Sequence, residues 1–390
     1  MESGRETSGG SAARIGIALI GQAFMGKAHS NAWGQAARFF DLPLTPRLRS
    51  VCARDQEALA AFAQRWGWES TARDWREWSD DGSIQLVDIG TPNHLHAEQA
   101  VAMLEAGKHV ACEKPLAGTL DDARAMCDAA RGASGETFVW FNYRRAPAVA
   151  LAHRWIREGR LGRIYHVRAR YLQSWGGPKT PLLWRFRKEL AGSGAHGDLN
   201  AHIVDLARFL LGDEVREVNG AILETFVTER AKPDGGMGQS DVDDCAMFLA
   251  TMQSGATAHF EATRLAAGHL NDNAIEINGE KGSLRFSFDD MNALEVHEEE
   301  LGDLSGGWKR IVATSAEDHA YVGNWWPEGH WIGYEHGFVN MAADILRVLG
   351  GEKPELPLPD FADAFETQRV LEAASVSARE RCAIPLSQIT

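Results

Sequence analysis

Three side chains in this 390-residue chain have the types and spacing to move a proton on or off a hydroxyl group. Asp198 and His202 lie four apart in Gly192-Ser-Gly-Ala-His-Gly-Asp-Leu-Asn-Ala-His-Ile-Val-Asp205. The apolar period through Leu199, Ile203, Leu206, Ala207 and Leu210 predicts a helix beginning near Gly197. On such a helix the carboxylate and the imidazole share one face, one turn apart, and Asp205 continues that face. A carboxylate beside an imidazole is a proton-transfer pair, because histidine titrates near neutral pH. From these residues alone, a capping aspartate and a packed core histidine would look the same. Lys114 is the third, set just after the apolar run Lys108-His-Val-Ala-Cys112. An ammonium at the end of a buried strand can face a bound hydroxyl or carbonyl and assist proton transfer there.

The elements that must position these groups begin with Arg14-Ile-Gly-Ile-Ala-Leu-Ile20, a run that reads as a buried strand. It enters the turn Gly21-Gln-Ala23-Phe24-Met25-Gly26 and then a helix over Lys27 to Arg38. Strand, glycine turn and helix in that order open a dinucleotide-binding unit: the first glycine makes the turn, Ala23 stands where backbone approaches the pyrophosphate, and the helix N-terminus faces its charge. The next strand, Leu48 to Ala53, carries Arg54 at its tip. An acid there would bind the ribose of NAD, whereas a cation accommodates the 2′-phosphate of NADP. Arg54 therefore favours NADP, with NAD still open, and Asp55 reads as the cap of a helix over Glu57 to Trp66. Strands follow at Leu86 to Gly90, Lys108 to Cys112 and Phe138 to Phe141. Their alternation with helices predicts a doubly wound parallel sheet, with ligands gathered at the strand ends: Gly21, Arg54, Thr91 and Glu113.

Composition sets the outer bounds. With 44% hydrophobic and 24% charged residues the chain is an ordinary globular protein, long enough for two domains. A net charge of −14 without a basic cluster argues against a nucleic acid partner. Cys52, Cys112, Cys127, Cys245 and Cys382 form no Cys-x-x-Cys pair, which fits reduced thiols, a cytoplasmic setting and no metal. No apolar run reaches the roughly 18 residues of a membrane span. Residues 1–13, rich in Ser and Gly, read as a disordered tail, 14–145 as the nucleotide-binding domain and 146–390 as a domain for substrate binding and oligomerisation.

In that second part a helix is expected over Ala148 to Glu158 and a long strand over Arg163 to Gln173. A loop bearing Trp175, Trp184 and Arg185 follows. Strands at Glu217 to Thr225, Ala246 to Met252, Thr257 to Ala262, Ala274 to Ile277 and Ser283 to Phe288 predict an antiparallel meander. Its open face calls for a partner subunit. Asp241, Asp243 and Asp244 lack the glycine and final glutamate of a calcium loop and read as a solvated turn. The aromatic run Trp325 to Trp331, with His330, reads equally as a lid or subunit contact or as core packing.

The motifs Gly21-x-Ala-x-x-Gly26, Thr91-Pro-Asn93-x-x-His96, Ala106-Gly-Lys-His-Val110, Cys112-Glu-Lys-Pro115 and Gly197-Asp-x-x-x-His202 resemble those of the Gfo/Idh/MocA oxidoreductases, over nearly the whole chain. The runs Phe141 to Arg145, Tyr171 to Trp175, Trp184 to Arg187, Ala191 to Gly194, Val242 to Asp244 and Glu261 to Arg264 are similar to members that oxidise the C3 hydroxyl of a sugar. The resemblance implies an α/β chain: an N-terminal Rossmann domain, then an α+β domain with a large, open, mostly antiparallel sheet that forms a homodimer or homotetramer. It implies hydride transfer between a sugar or glycoside hydroxyl and NAD(P), with Lys114, Asp198 and His202 catalytic. The cofactor would lie along Gly21, Ala23, Phe24, Met25, Gly26, Arg54, Thr91, Pro92, Asn93, His96, Glu113, Lys114, Asn142, Trp184 and Arg185. The sugar would meet Lys114, Tyr143, Trp175, Asp198, His202 and His330. Two other activities fit the same motifs: redox-neutral glycoside cleavage through a transient 3-keto sugar, and nucleotide sensing without catalysis. Intact Lys114, Asp198 and His202 argue against the latter. The chain departs from the pattern at His196 and Asn200, where relatives commonly carry Leu and a small residue, and at Arg54, which replaces an acid.

Overall fold

A computed structural model describes residues 13–298, 306–317 and 319–390. The first sheet is built from β1 (Ala13–Ile20), β2 (Leu44–Cys52), β3 (Ser70–Ala72), β4 (Leu86–Ile89), β5 (His109–Cys112) and β6 (Thr137–Val139). All its pairings are parallel, in the order β3-β2-β1-β4-β5-β6. Helices α1 (Phe24–Phe39), α2 (Gln56–Trp66), α3 (His96–Glu105) and α4 (Leu120–Gly132) make the crossovers. Covered on both faces, β4 is buried at every residue and β1 from Ile15 onward, which is why these strands read as near-continuous apolar runs, interrupted in β4 by Asp88. The strand order reverses between β1 and β4, so the crevice for a ligand opens between Gly21 and Thr91. The tail expected over 1–13 lies outside the described residues apart from Ala13, which starts β1.

The second half contributes α5 (Pro147–Arg157), β7 (Ile164–Leu172), α6 (Lys188–Ala191), α7 (Ala201–Leu211), β8 (Val215–Glu224), β9 (Glu229–Ala231), β10 (Met237–Gln239), β11 (Cys245–Met252), β12 (Thr257–Thr263), β13 (Asp272–Gly279), β14 (Gly282–Ser287), β15 (Ala293–Glu298), β16 (Lys309–Val312), α8 (Tyr334–Leu349), α9 (Phe361–Glu380) and β17 (Ile384–Pro385). Nine of its strands form one sheet, β16-β15-β14-β13-β7-β12-β11-β8-β17, and β9 pairs with β10 separately. The sheet is not the simple meander expected. β7 is inserted at its centre, antiparallel to β13 and parallel to β12. Its alternating Val167, Ala169 and Tyr171 are buried on the face that packs against α7, which gives it the central place.

The opposite face of the sheet is open. On β11, Ala246, Phe248, Ala250 and Met252 point inward while Met247 and Leu249 point out. The C-terminal helices then return to the first sheet. α8 packs on α1, and α9 lies between α4 and β8. The Val139 amide donates to the Pro359 carbonyl at 2.8 Å. One apolar core runs through both halves. Among the described residues no helix is long and apolar enough to cross a membrane.

Candidate functional site

The helix carrying Asp198 and His202 starts one residue earlier than expected, and it starts as a π-helical turn, His196–Asn200, continuing into α7. Its first amides are tied down by a neighbouring carboxylate: Asp243 accepts from Gly194 N at 2.7 Å and from His196 N at 2.6 Å. Asp243 and Asp244 are therefore buried hydrogen-bond hubs, not the solvated turn expected, with Asp244 accepting from Phe226 N, Val227 N and Arg230. Such wide turns put an extra residue into the helix and re-aim its side chains. Here the Asp198 carboxylate turns toward Lys114, whose Nζ donates to its Oδ1 at 2.7 Å and to its backbone carbonyl at 3.1 Å. Arg264 Nη2 donates to the other oxygen at 2.8 Å. The expected contact between Asp198 and His202 is thus replaced by two cations on the carboxylate. Asp205 leaves the face altogether and pairs with Arg144 in the core.

Electrostatics follow from that clamp. Burial alone would raise the Asp198 carboxyl, but Lys114, Arg264 and Arg185 outweigh it and hold the group well below the usual carboxylate range. Burial, reinforced by the charge of Lys114, pushes the His202 imidazole well below its ordinary value, and Asp198 offsets only part of this. His202 Nδ1 is sealed in without a hydrogen-bond partner, with Tyr143 set edge-on 4.7 Å from the ring centroid. Nε2 is left as the ring nitrogen available to a ligand. The neutral imidazole is the state this pocket favours.

Lys114, Asp198 and Glu113 stand where two cavities meet. The larger, about 700 Å³, is lined by Asn142, Tyr143, Trp175 and His202 and by the aromatic side chains of Tyr171, Phe288, Tyr334 and Phe338. The smaller, about 180 Å³, runs along Ala23, Thr91, Pro92, Asn93, Trp184 and Arg264. Phe24, Met25 and Arg185 border both. The wall of the larger cavity is a chain of polar groups. Tyr143 and Tyr171 share a hydroxyl bond of 2.7 Å, Tyr171 donates to Asn271 Oδ1 at 2.7 Å, Gln173 donates to the same oxygen at 2.8 Å, and Trp175 donates to Gln173 at 2.6 Å. With its indole N–H taken, Trp175 offers a ligand its ring face.

The glycine turn fits a dinucleotide. Gly21 has φ +122°, and a Cβ there would meet the Gly90 carbonyl at 2.8 Å; at Gly26 it would meet the Gly21 carbonyl at 2.4 Å. Ala23 offers no side-chain cap and the first turn of α1 carries no acidic residue, so its amides are open to an anionic group.

Several expected residues have structural partners of their own or lie outside the two cavities. Gly21 and Gly26 shape the turn from behind, and Arg54 is exposed beyond the end of β2, bordering neither cavity. Asp55 caps α2 by accepting from Ala58 N at 3.0 Å. His96 is fully buried between the Thr91 carbonyl at 2.9 Å and the Pro115 carbonyl at 3.1 Å; it staples two loops together and lines neither cavity. Asn93 bridges to the Ala191 carbonyl at 3.0 Å. His330 is exposed, holds the Pro327 carbonyl at 2.9 Å and does not border the larger cavity. Trp325 of the same run packs on Phe39 and donates to Asn340 at 2.8 Å, so it belongs to the core. His196 and Asn200 line neither cavity. His196 Nε2 donates to the Leu371 carbonyl at 2.8 Å and its Nδ1 accepts from Asn200 at 2.9 Å, a buried link between this helix and α9.

Two groups that matter were not singled out by sequence reasoning. One is Arg264, which follows β12. The other is His29 on α1, fully buried between Asp88 and Glu113, each at 3.0 Å. Burial opposes its charge, but the two carboxylates prevail and lift its pKa to about 9. Glu113 passes the constraint on by accepting the Lys114 backbone N–H at 3.0 Å.

A parallel sheet with an anion-ready glycine turn, leading to a lysine, a carboxylate and a neutral histidine, defines an NAD-binding oxidoreductase. Residues 15–141 match the oxidoreductase family with an NAD-binding Rossmann fold, and residues 149–285 match the GFO/IDH/MocA C-terminal domain. The chain belongs to the Gfo/Idh/MocA oxidoreductase family and is an NAD(P)-dependent dehydrogenase. It is 39% identical to levoglucosan dehydrogenase of Pseudarthrobacter phenanthrenivorans over 96% of this chain and 99% of that one. Among solved structures it is similar to an oxidoreductase domain protein from Kribbella flavida, with a TM-score of 0.92 and 50% identity over 96% of this chain and 99% of that one. A levoglucosan dehydrogenase complex with NADH and levoglucosan has a TM-score of 0.91 and 40% identity over 95% and 99% of the two chains.

Proposed function

We propose that this dehydrogenase oxidises a secondary hydroxyl, at C3, of a neutral sugar or glycoside. The observation that carries the reading is the meeting of two cavities at Lys114 and Asp198: the glycine turn opens on one side, and aromatic faces with a polar wall lie on the other, beside His202. Aromatic faces suit the apolar sides of a pyranose ring, and the polar wall suits its hydroxyls. The likeness to levoglucosan dehydrogenase supports the same class.

When bound along Gly21 to Gly26, NAD(P) supplies the hydride acceptor. The chain's own residues handle the proton. Neutral His202 accepts it at Nε2 as the carbon–oxygen bond gains carbonyl character. Lys114 donates to the same oxygen and steadies its growing negative charge. Asp198, held ionised, fixes where that ammonium sits. Substituting Lys114→Met, Asp198→Asn or His202→Asn should each lower kcat by about 100-fold or more while NADH binding persists. A spectrophotometric screen of sugars with wild type and variants tests this. Near-normal turnover in all three would overturn the assignment, and NADH accumulation separates oxidation from redox-neutral cleavage.

Cofactor choice is proposed to rest on Arg54. Asp55 is committed to its helix cap, and Arg54 is exposed at the strand tip where a 2′-phosphate would lie. Arg54→Ala is expected to cut kcat/KM with NADP about tenfold and leave NAD within about twofold. A second copy of the chain is proposed to cover the open face of the nine-stranded sheet.

A further inference from the structure

Arg264 is buried although charged, and its side chain engages both parts of the site. Its Nη2 takes one oxygen of Asp198 at 2.8 Å while Lys114 takes the other at 2.7 Å. Its Nη1 donates to the Arg185 carbonyl at 3.3 Å, and the guanidinium lies 5.0 Å from the centroid of the Trp175 ring. The backbone repeats the link: Gly176 N donates to the Arg264 carbonyl at 3.0 Å, and a Cβ at Gly176 would come within 2.7 Å of Arg264 Cβ. The loop bearing Trp175 and Arg185 therefore rests directly on the residue that holds the catalytic carboxylate. Only a planar fork can reach a carboxylate, a carbonyl and a ring face together, and lysine has no such geometry.

We propose that Arg264 is a positioning residue that couples the Trp175–Arg185 loop to the Asp198–Lys114 pair, so that a sugar settling on the loop is registered at the catalytic carboxylate. The inference rests on the sugar dehydrogenase reading of the larger cavity. Arg185, His202 and the phenols of Tyr143, Tyr171 and Tyr334 are close enough to interact with the same carboxylate through their charge, and among the described residues Lys114 and Arg264 are the cations that bond to it directly.

The test compares Arg264→Lys and Arg264→Gln with wild type, using NAD and a sugar the wild type oxidises. Arg264→Gln removes both charge and fork. It should lower kcat about tenfold or more, raise the sugar KM about tenfold and move the acid limb of the kcat profile to higher pH, with NADH affinity within about twofold. Arg264→Lys keeps the charge and loses the fork, so the limb should stay at its wild-type pH while KM rises. Wild-type kcat, KM and limb in Arg264→Gln would overturn the inference, as would a loss of kcat in both variants with limb and KM unmoved, the mark of a merely structural arginine. Should Arg264→Gln fail to fold, the lysine variant decides: a raised KM with an unmoved limb supports the coupling, and a wild-type KM overturns it. A wild-type protein that binds NADH yet oxidises no sugar overturns the reading of the cavity and this coupling with it.

Discussion

His202 is a weak base by construction. Its Nδ1 has no partner to stabilise a second proton, and Lys114 adds a repelling charge. A weak base is nonetheless ready at any pH where the pocket keeps it neutral, and Lys114 can lower the demand on it by holding the alkoxide. The sign is definite: the folded imidazole titrates below 6.5, so activity should be level from that pH upward to the next group. The acid limb of kcat/KM should lie below pH 6.5, and an acid limb at or above 6.5 would remove His202 from the role. Lys114 and His202 were legible in the chain because each sits at a recognisable place, a strand end and a helix start. Arg264 was visible only as the end of the Glu261 to Arg264 run, without a role, since a single arginine after a strand carries no spacing signal. Nor was the turn of Asp198 away from His202 legible, because a spacing of four assumes a regular helix and the π turn is imposed from outside by Asp243.

At the scale of elements, the Asp243 contact dictates glycine at 194, where a Cβ would stand 1.8 Å from the Asp243 carbonyl. Gly194→Ala should displace the π turn, cost about 1–3 kcal/mol of stability and lower kcat more than NADH affinity. Thermal melts and a KM-against-kcat comparison check it. His29 joins α1 to β4 and β5 in the same manner. It is charged in the fold up to about pH 9 but in the unfolded chain only up to about 6.5, so its contribution, roughly 3 kcal/mol, is complete below 6.5 and fades as pH rises toward 9. The stability gap between wild type and His29→Gln in urea should close over that interval; a gap that ignores pH would refute the charged state. The central parallel strands β1, β4 and β5 could be read as near-continuous apolar runs because both faces are buried. β15, β16 and β17 escaped notice, being short strands near a sheet edge with little continuous apolar pattern, and β7 reached the centre of its sheet through packing that no local pattern encodes.

At the scale of the whole molecule, the open face of the large sheet presents Ile222, 61% exposed, beside Met247 across β8 and β11, and Leu249, 55% exposed. Apolar side chains in cross-strand register on a broad face are the surface a second sheet would cover. Replacing Ile222 and Leu249 together by Asp should shift the protein to a monomer in sedimentation at micromolar concentration. An unchanged assembly would place the interface elsewhere, and a monomeric wild type would remove it.

The return of α8 and α9 to the first sheet bears on how such enzymes can be recombined. Chain order suggests that the nucleotide-binding part could be exchanged at residue 145, yet Val139 pairs with Pro359, and α1 and α4 are roofed by α8 and α9. A chimera cut at that point would graft a foreign roof onto each sheet. Moving residues 334–380 along with 13–145 would restore that roof but open the seam of α9 against β8 and α7, so neither cut yields two self-contained modules.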